Sequence, residues 1–143
     1  MSHSPSDSDA VKQLNSFRPE FIELLGGRVI AADIEARSCT FAFCVPLKFC
    51  HSGNIVQGGF VAAMLDAAMS HAVFGCAPDV ERLSSLEITT RYESVTRGET
   101  SLTVTGLVRR MTRTIAFLEA DIKSDSGEVL AVAQSVAKIG RKA

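Results

Sequence analysis

Gln57-Gly58-Gly59-Phe60-Val61-Ala62-Ala63-Met64-Leu65-Asp66 places a glycine pair at the start of a helix and a carboxylate two turns further on. Across 55–78 the chain is apolar, small or uncharged, and Asp66 is the only residue expected to be charged at neutral pH. A carboxylate in such a run is costly unless it is paired or used. At about 100° per residue, Gly59, Ala62, Ala63, Asp66 and Ser70 share one narrow face of small residues. Phe60, Val61, Met64, Leu65, Met69 and Val73 make the bulky side, which is expected in the core.

Small residues around Asp66 let another backbone approach closely and leave room for a ligand. The Gly58 and Gly59 amides lie at a helix N-terminus, where unpaired N–H groups and the macrodipole favour developing negative charge. At 1.5 Å per residue these amides and Asp66 are roughly 10 Å apart along the axis, too far to act together on one carbonyl from a single copy. A second copy of the helix packed antiparallel would bring one chain's Asp66 near the other's Gly58, so a site shared by two subunits is expected.

The rest of the chain frames that helix. Val11, Leu14, Phe17, Phe21, Leu24 and Leu25 recur at helical intervals, with Pro19 as an interruption or a second helix's first turn, and Gly26-Gly27 ends the segment. Strands are expected over 28–34 and 39–45, the second with Cys39, Phe41, Phe43 and Val45 on one face. A loop over 46–56 feeds the long helix, which should run to about Phe74. Four β-like stretches follow at 83–93, 100–109, 114–124 and 128–139. Turns at Thr96-Arg97-Gly98-Glu99 and Ser124-Asp125-Ser126-Gly127, and a cationic turn over 109–113, read as a meander. The implied class is α+β, with a mostly antiparallel sheet curved round one central helix. Apolar residues on both faces of the later strands, Phe117 opposite Leu118 for example, suggest a symmetric dimer or a dimer of dimers.

With 143 residues and 46% hydrophobic content the chain suits one domain over 10–143, after a polar tail over 1–9 expected to be disordered. A formal net charge of -1 and the lack of a basic stripe with interleaved aromatics argue against nucleic acid. The start has no apolar leader and no later run reads as a span of about 20 apolar residues, so a cytoplasmic protein is expected. Cys39, Cys44, Cys50 and Cys76 lack C-x-x-C spacing and read as reduced core thiols, with no metal site. Cys50 and His51 are neighbours in an extended segment and point to opposite sides, which disfavours a nucleophile and base. His71, five residues past Asp66, sits about 140° away round the helix and is read as structural.

Over 24–140 the sequence resembles the hotdog-fold acyl-CoA thioesterases of the phenylacetate-degradation type. The motifs are Val56-Gln57-Gly58-Gly59 with Met64-Leu65-Asp66, the 84–92 stretch, Gly98-Glu99, and Thr112-Arg113-Thr114-Ile115-Ala116-Phe117. The resemblance implies a hotdog fold, a sheet wrapped round one long helix with an additional N-terminal helix, and no cofactor. It implies that Asp66 acts as nucleophile or general base and that the Gly58 amide, with Gly59 beside it, binds the thioester oxygen, the two coming from different subunits. Gln57 matches a position often held by histidine; it could donate to the carbonyl but cannot carry a proton. His51 falls where relatives often have asparagine, with Asn54 as the neighbouring loop residue able to take its place. Ser84 matches a serine that places the attacking water, with Ser85 as the alternative one register away. Arg109, Arg110 and Arg113 would meet the coenzyme A nucleotide, since guanidinium forks suit phosphates, and Arg91 and Tyr92 would face the cleft.

The expected activity is hydrolysis of an aromatic or medium- to long-chain acyl-CoA to free acid and coenzyme A. The competing reading is a non-catalytic acyl-CoA or acyl-lipid binding module. A hotdog dehydratase would want a histidine with a carboxylate at the helix start, and Gln57 offers neither.

Overall fold

The computed structural model describes residues 6–143. Helices α1 (Asp7–Ser16) and α2 (Glu20–Leu24) lead into strands β1 (Gly27–Asp33) and β2 (Ser38–Phe43). A 3-10 turn (Leu47–Phe49) and the short pair β3 (Cys50–His51) and β4 (Ile55–Val56) precede the long helix α3 (Gly58–Cys76). Strands β5 (Val80–Tyr92), β6 (Leu102–Met111), β7 (Ile115–Ser124) and β8 (Val129–Arg141) complete the chain. Six strands form one sheet in the order β1-β2-β6-β7-β8-β5, with every neighbouring pair antiparallel.

Helix α3 packs on β2, β5, β6, β7 and β8. Its Val61, Met64, Leu65, Met69 and Val73 are buried, as the helical period requires, and join the inward residues of β2, Cys39, Phe41 and Phe43, in one cluster with Val45, Val104, Leu118 and Ile122. Each large side chain so buried stabilises the fold by about 1.5–3 kcal/mol. The closest approach is at Gly106 of β6, where a Cβ would run into the Ala68 carbonyl of α3. Glycine there lets the helix backbone rest on the strand.

Several expectations are corrected. Strands β6, β7 and β8 form a meander, but β5 pairs with β8 at the sheet edge rather than with β6; alternation marks strands without saying which are neighbours. Arg109 and Arg110 belong to β6, and the reversal is made by Thr112–Ile115, where Thr112 Oγ1 accepts the Ile115 N–H at 3.1 Å. In the loop between β5 and β6 the left-handed residue is Glu99, at φ 57, whereas Gly98 is needed because a Cβ would meet Cys50 Sγ at 2.5 Å. In β8 the register slips opposite Ile122 and Lys123, so that Leu130 and Ala131 are both buried.

Of the expected tail, 1–5 lie outside the described residues, while Asp7, Ser8 and Asp9 form the first turn of α1. Ser6 caps that turn, its Oγ accepting the Asp9 N–H at 3.1 Å while its own N–H donates to the Asp9 carboxylate. Pro19 ends the first helical period, so Ile22 and Leu25 turn inward and Phe17, Phe21 and Leu24 are exposed. Phe60 is exposed on α3 and packs edge-on to Phe49 at 4.9 Å. Cys44 is exposed rather than in the core, and all four cysteines are free thiols. By length and composition alone helix α3 is long and apolar enough to cross a membrane, a test that a core helix also passes, and half of that stretch is buried inside the fold.

Gly106→Ala should destabilise the fold by about 3 kcal/mol, because neither backbone can yield cheaply. Gly59→Ala, where a Cβ meets nothing within 4 Å, should not destabilise it. Urea unfolding of the two variants checks the contrast.

Candidate active site

Asp66 lies on the half-buried stripe of α3 with Ala62, Ala63 and Ser70, the face predicted from its small residues. Its Oδ1 accepts a hydrogen bond from Ser85 Oγ of β5 at 3.2 Å. Among the described residues it makes no ion pair. Burial raises the carboxyl pKa above its ordinary value, and the Ser85 bond offsets part of that rise. Ser70 does not cap it, since its Oγ donates to the Ala67 carbonyl at 3.1 Å.

The serine beside the carboxylate is therefore Ser85 and not Ser84, because successive residues of a strand point to opposite faces. Leu83, packed against the core, shares the Ser85 face and was the available signal. His71 is buried, and its Nδ1 lies 2.8 Å from the Ala67 carbonyl, so it makes no bond to Asp66.

At the helix start Gln57 is the N-cap residue, at φ -55 and ψ 136, with an exposed side chain that makes no capping bond. Its N–H donates to the Phe49 carbonyl at 3.1 Å, which ties the preceding loop to the helix. The Gly58 and Gly59 N–H groups belong to the first turn, which has no acceptors within the helix. Tyr92 at the end of β5 donates its hydroxyl to the Gly58 carbonyl at 2.7 Å, and a Cβ on Gly58 would lie 3.3 Å from that hydroxyl. The phenol thus fixes the glycine pair from one side, while open space faces Gly59.

The other predicted residues are dispersed. His51 is exposed, with Nδ1 3.1 Å from Ser52 Oγ. Asn54 Oδ1 accepts from Arg97 at 2.8 Å, joining the 50–56 loop to the loop after β5. Arg91 pairs with Glu93 at 3.3 Å and Arg109 with Glu119 at 3.2 Å, both on the surface, where such pairs contribute only about 0–1 kcal/mol. Arg110 and Arg113 are exposed and make no ion pair among the described residues. Arg141 was not singled out by sequence; it donates to the Thr112 and Arg113 carbonyls and grips Asp79 at 2.8 Å, pulling the Asp79 pKa down. The chain brings Asp66 together with Ser85 and Gly58 with Tyr92, but it does not bond Asp66 to Gly58 or Gln57. Among the described residues no group of three or more His, Cys, Asp or Glu side chains could hold a metal ion.

The family profile of the thioesterase superfamily matches residues 53–131, more than half the chain, including α3 and Ser85. The chain belongs to the thioesterase superfamily. Its fold is similar to a putative thioesterase, a phenylacetic acid degradation-related protein from Ralstonia eutropha, at 22% identity over 90% of this chain and 98% of that one, with a TM-score of 0.81. It is also similar to the E. coli PaaI protein of the phenylacetic acid degradation operon, at 17% identity over 96% and 99%, TM-score 0.81. A hypothetical thioesterase from Streptococcus pneumoniae, solved with coenzyme A, matches at 14% identity over 85% and 91%, TM-score 0.75. No curated protein matches the chain in sequence. The expected hotdog architecture is the one observed, and as a superfamily member this thioesterase is a thioester hydrolase.

In this thioesterase Ser85→Ala should raise the Asp66 pKa further and Ser84→Ala should leave it unchanged, as read by NMR titration of the Asp66 side-chain carboxyl. A raised carboxyl pKa means that the folded state holds a proton the unfolded chain releases, so stability falls as pH rises from the unfolded value, about 3.9, through the folded one. Asp66→Asn should therefore unfold at a higher temperature than wild type at neutral pH, and the gap should close on acidification. Thermal melts across that pH range measure it.

Proposed function

We propose that the protein hydrolyses an acyl-CoA thioester in a cleft formed by two copies of the chain. The observation that carries this reading is the Asp66 carboxylate, without an ion pair among the described residues and with its pKa raised, on the incompletely covered face of α3, the helix that also begins with the Gly58 and Gly59 amides. The Gly58 N–H of one copy polarises the thioester carbonyl. Asp66 of the partner copy takes a proton from a water that adds to the carbonyl, or attacks the carbonyl itself to form a mixed anhydride that a water then hydrolyses; in either course the carbon–sulfur bond breaks, coenzyme A leaves as thiolate, and the thiolate takes up the proton that the water gives. A raised pKa suits the proton-accepting role near neutral pH. Ser85 holds the carboxylate and orients the water. Gln57, with its side chain free, is available as a second donor to the carbonyl.

Features of β5 support the shared cleft. It is an edge strand of 13 residues with Leu86 61% and Tyr92 52% exposed, and unpaired edges of that length are templates for a second chain. A further contact on the outer sheet face is supported by exposed Phe117 and by the buried Asp121 Oδ1, which has no hydrogen-bond partner among the described residues. Arg110 and Arg113, without ion pairs among the described residues, are the side chains assigned to the nucleotide phosphates, with Arg109 partly held by Glu119.

An acyl-CoA panel, aromatic and medium- to long-chain, read by free-thiol release tests the reading. Asp66→Asn should lower kcat by about 10²–10⁴-fold. Gly58→Pro removes one amide at a helix position that tolerates proline, after a residue whose ψ of 136 suits one, and should lower kcat by about 10²–10³-fold. Arg110→Ala with Arg113→Ala should raise KM and spare kcat. Binding without thiol release from any member of the panel would instead identify a non-catalytic acyl-CoA module.

A further inference from the structure

At the far end of α3 from the glycine pair a cavity of about 390 Å³ opens between α1, the last turns of α3 and the start of β5. Leu14, Phe17 and Phe74 give it apolar walls, and His71 lines it. None of Asp66, Ser85 or Gly58 does. Its size falls within the range of small-molecule sites, about 300–1,000 Å³.

His71 is only 6% exposed, edge-on to Phe41 at 5.0 Å and to Phe74 at 6.2 Å. A carbonyl oxygen can only accept, so the 2.8 Å contact with Ala67 puts the proton on Nδ1. In the neutral ring Nε2 then carries a lone pair. Among the described residues it has no hydrogen-bond partner, and it is not sealed from solvent, so it opens on the cavity that the ring lines. Burial lowers the His71 pKa, which keeps the ring neutral. Glu81 and Lys142 bring opposite charges to the cavity wall, so neither sign of ligand charge is favoured. Gln13 adds a neutral polar group to that wall, and an acceptor left without a partner between the apolar Leu14 and Phe74 calls for a donor.

We propose that this cavity is a binding site for a small uncharged phenol, whose ring packs on Phe17 and Phe74 and whose hydroxyl donates to His71 Nε2. The site makes no use of the proposed acyl-CoA chemistry.

The full-length protein is titrated with 4-ethylphenol and, in parallel, with ethylbenzene, which lacks only the hydroxyl. The His71 Nε2 nitrogen shift is followed by NMR. The phenol should move that resonance and bind about five-fold more tightly, the equivalent of one hydrogen bond of about 1 kcal/mol at 1.4 kcal/mol per decade. His71→Phe should abolish the preference. Should that core substitution unfold the chain, Phe17→Ala, at a position 73% exposed, should weaken both probes several-fold with the fold retained. Equal affinity for the two probes, no binding of either, or shifts confined to the Asp66 and Ser85 region would overturn the proposal.

Discussion

A single long helix has to bury its bulky side on a sheet of six strands, and the contact at Gly106 fixes how closely it does so. Val61, Met64, Leu65, Met69 and Val73 take the covered side. The opposite stripe is left with small residues and one carboxylate. Because α3 is held by its own core, Asp66 cannot swing into water to shed the desolvation penalty. Ser85 relieves only part of it. The packing that stabilises the fold therefore also makes the carboxylate a better proton acceptor at neutral pH, and the same residue costs stability when it is ionised.

The helix start is arranged with comparable economy. Tyr92 donates to the carbonyl of Gly58 and leaves its N–H free, while the loop before it is tied down by the bonds from Gln57 to Phe49 and from Arg97 to Asn54. A donor that is already oriented does not have to be reorganised when negative charge develops. Donor and carboxylate nevertheless sit on one helix, and no movement of a single chain would fold them onto one carbonyl. Pairing through the β5 edge would supply the missing half.

Much of this was legible in the sequence, because the signals were local. Alternation in Cys39, Phe41 and Phe43 gave the buried face of β2, and the small residues round Asp66 gave the uncovered face of α3. The misreadings arose where pairing or a local break decides. Adjacency of β5 to β8 is set by long-range packing. At Leu130 an extra residue in the ladder buries Leu130 and Ala131 together, which strict alternation does not foresee. Pro19 resets the helical phase, so Phe17, Phe21 and Leu24 appear apolar by period and emerge exposed. The choice of Ser85 over Ser84 turned on a single residue of register, readable only from Leu83.

The shared cleft is tested most directly by mixing two inactive chains. Co-expressed Asp66→Asn and Gly58→Pro variants assemble at random, and a mixed dimer with sites drawn from both chains has one intact site and one doubly altered site. The account predicts recovery of about a quarter of wild-type thiol release from the mixture. Activity no higher than that of the separate variants, with mixed dimers demonstrably present, would contradict it.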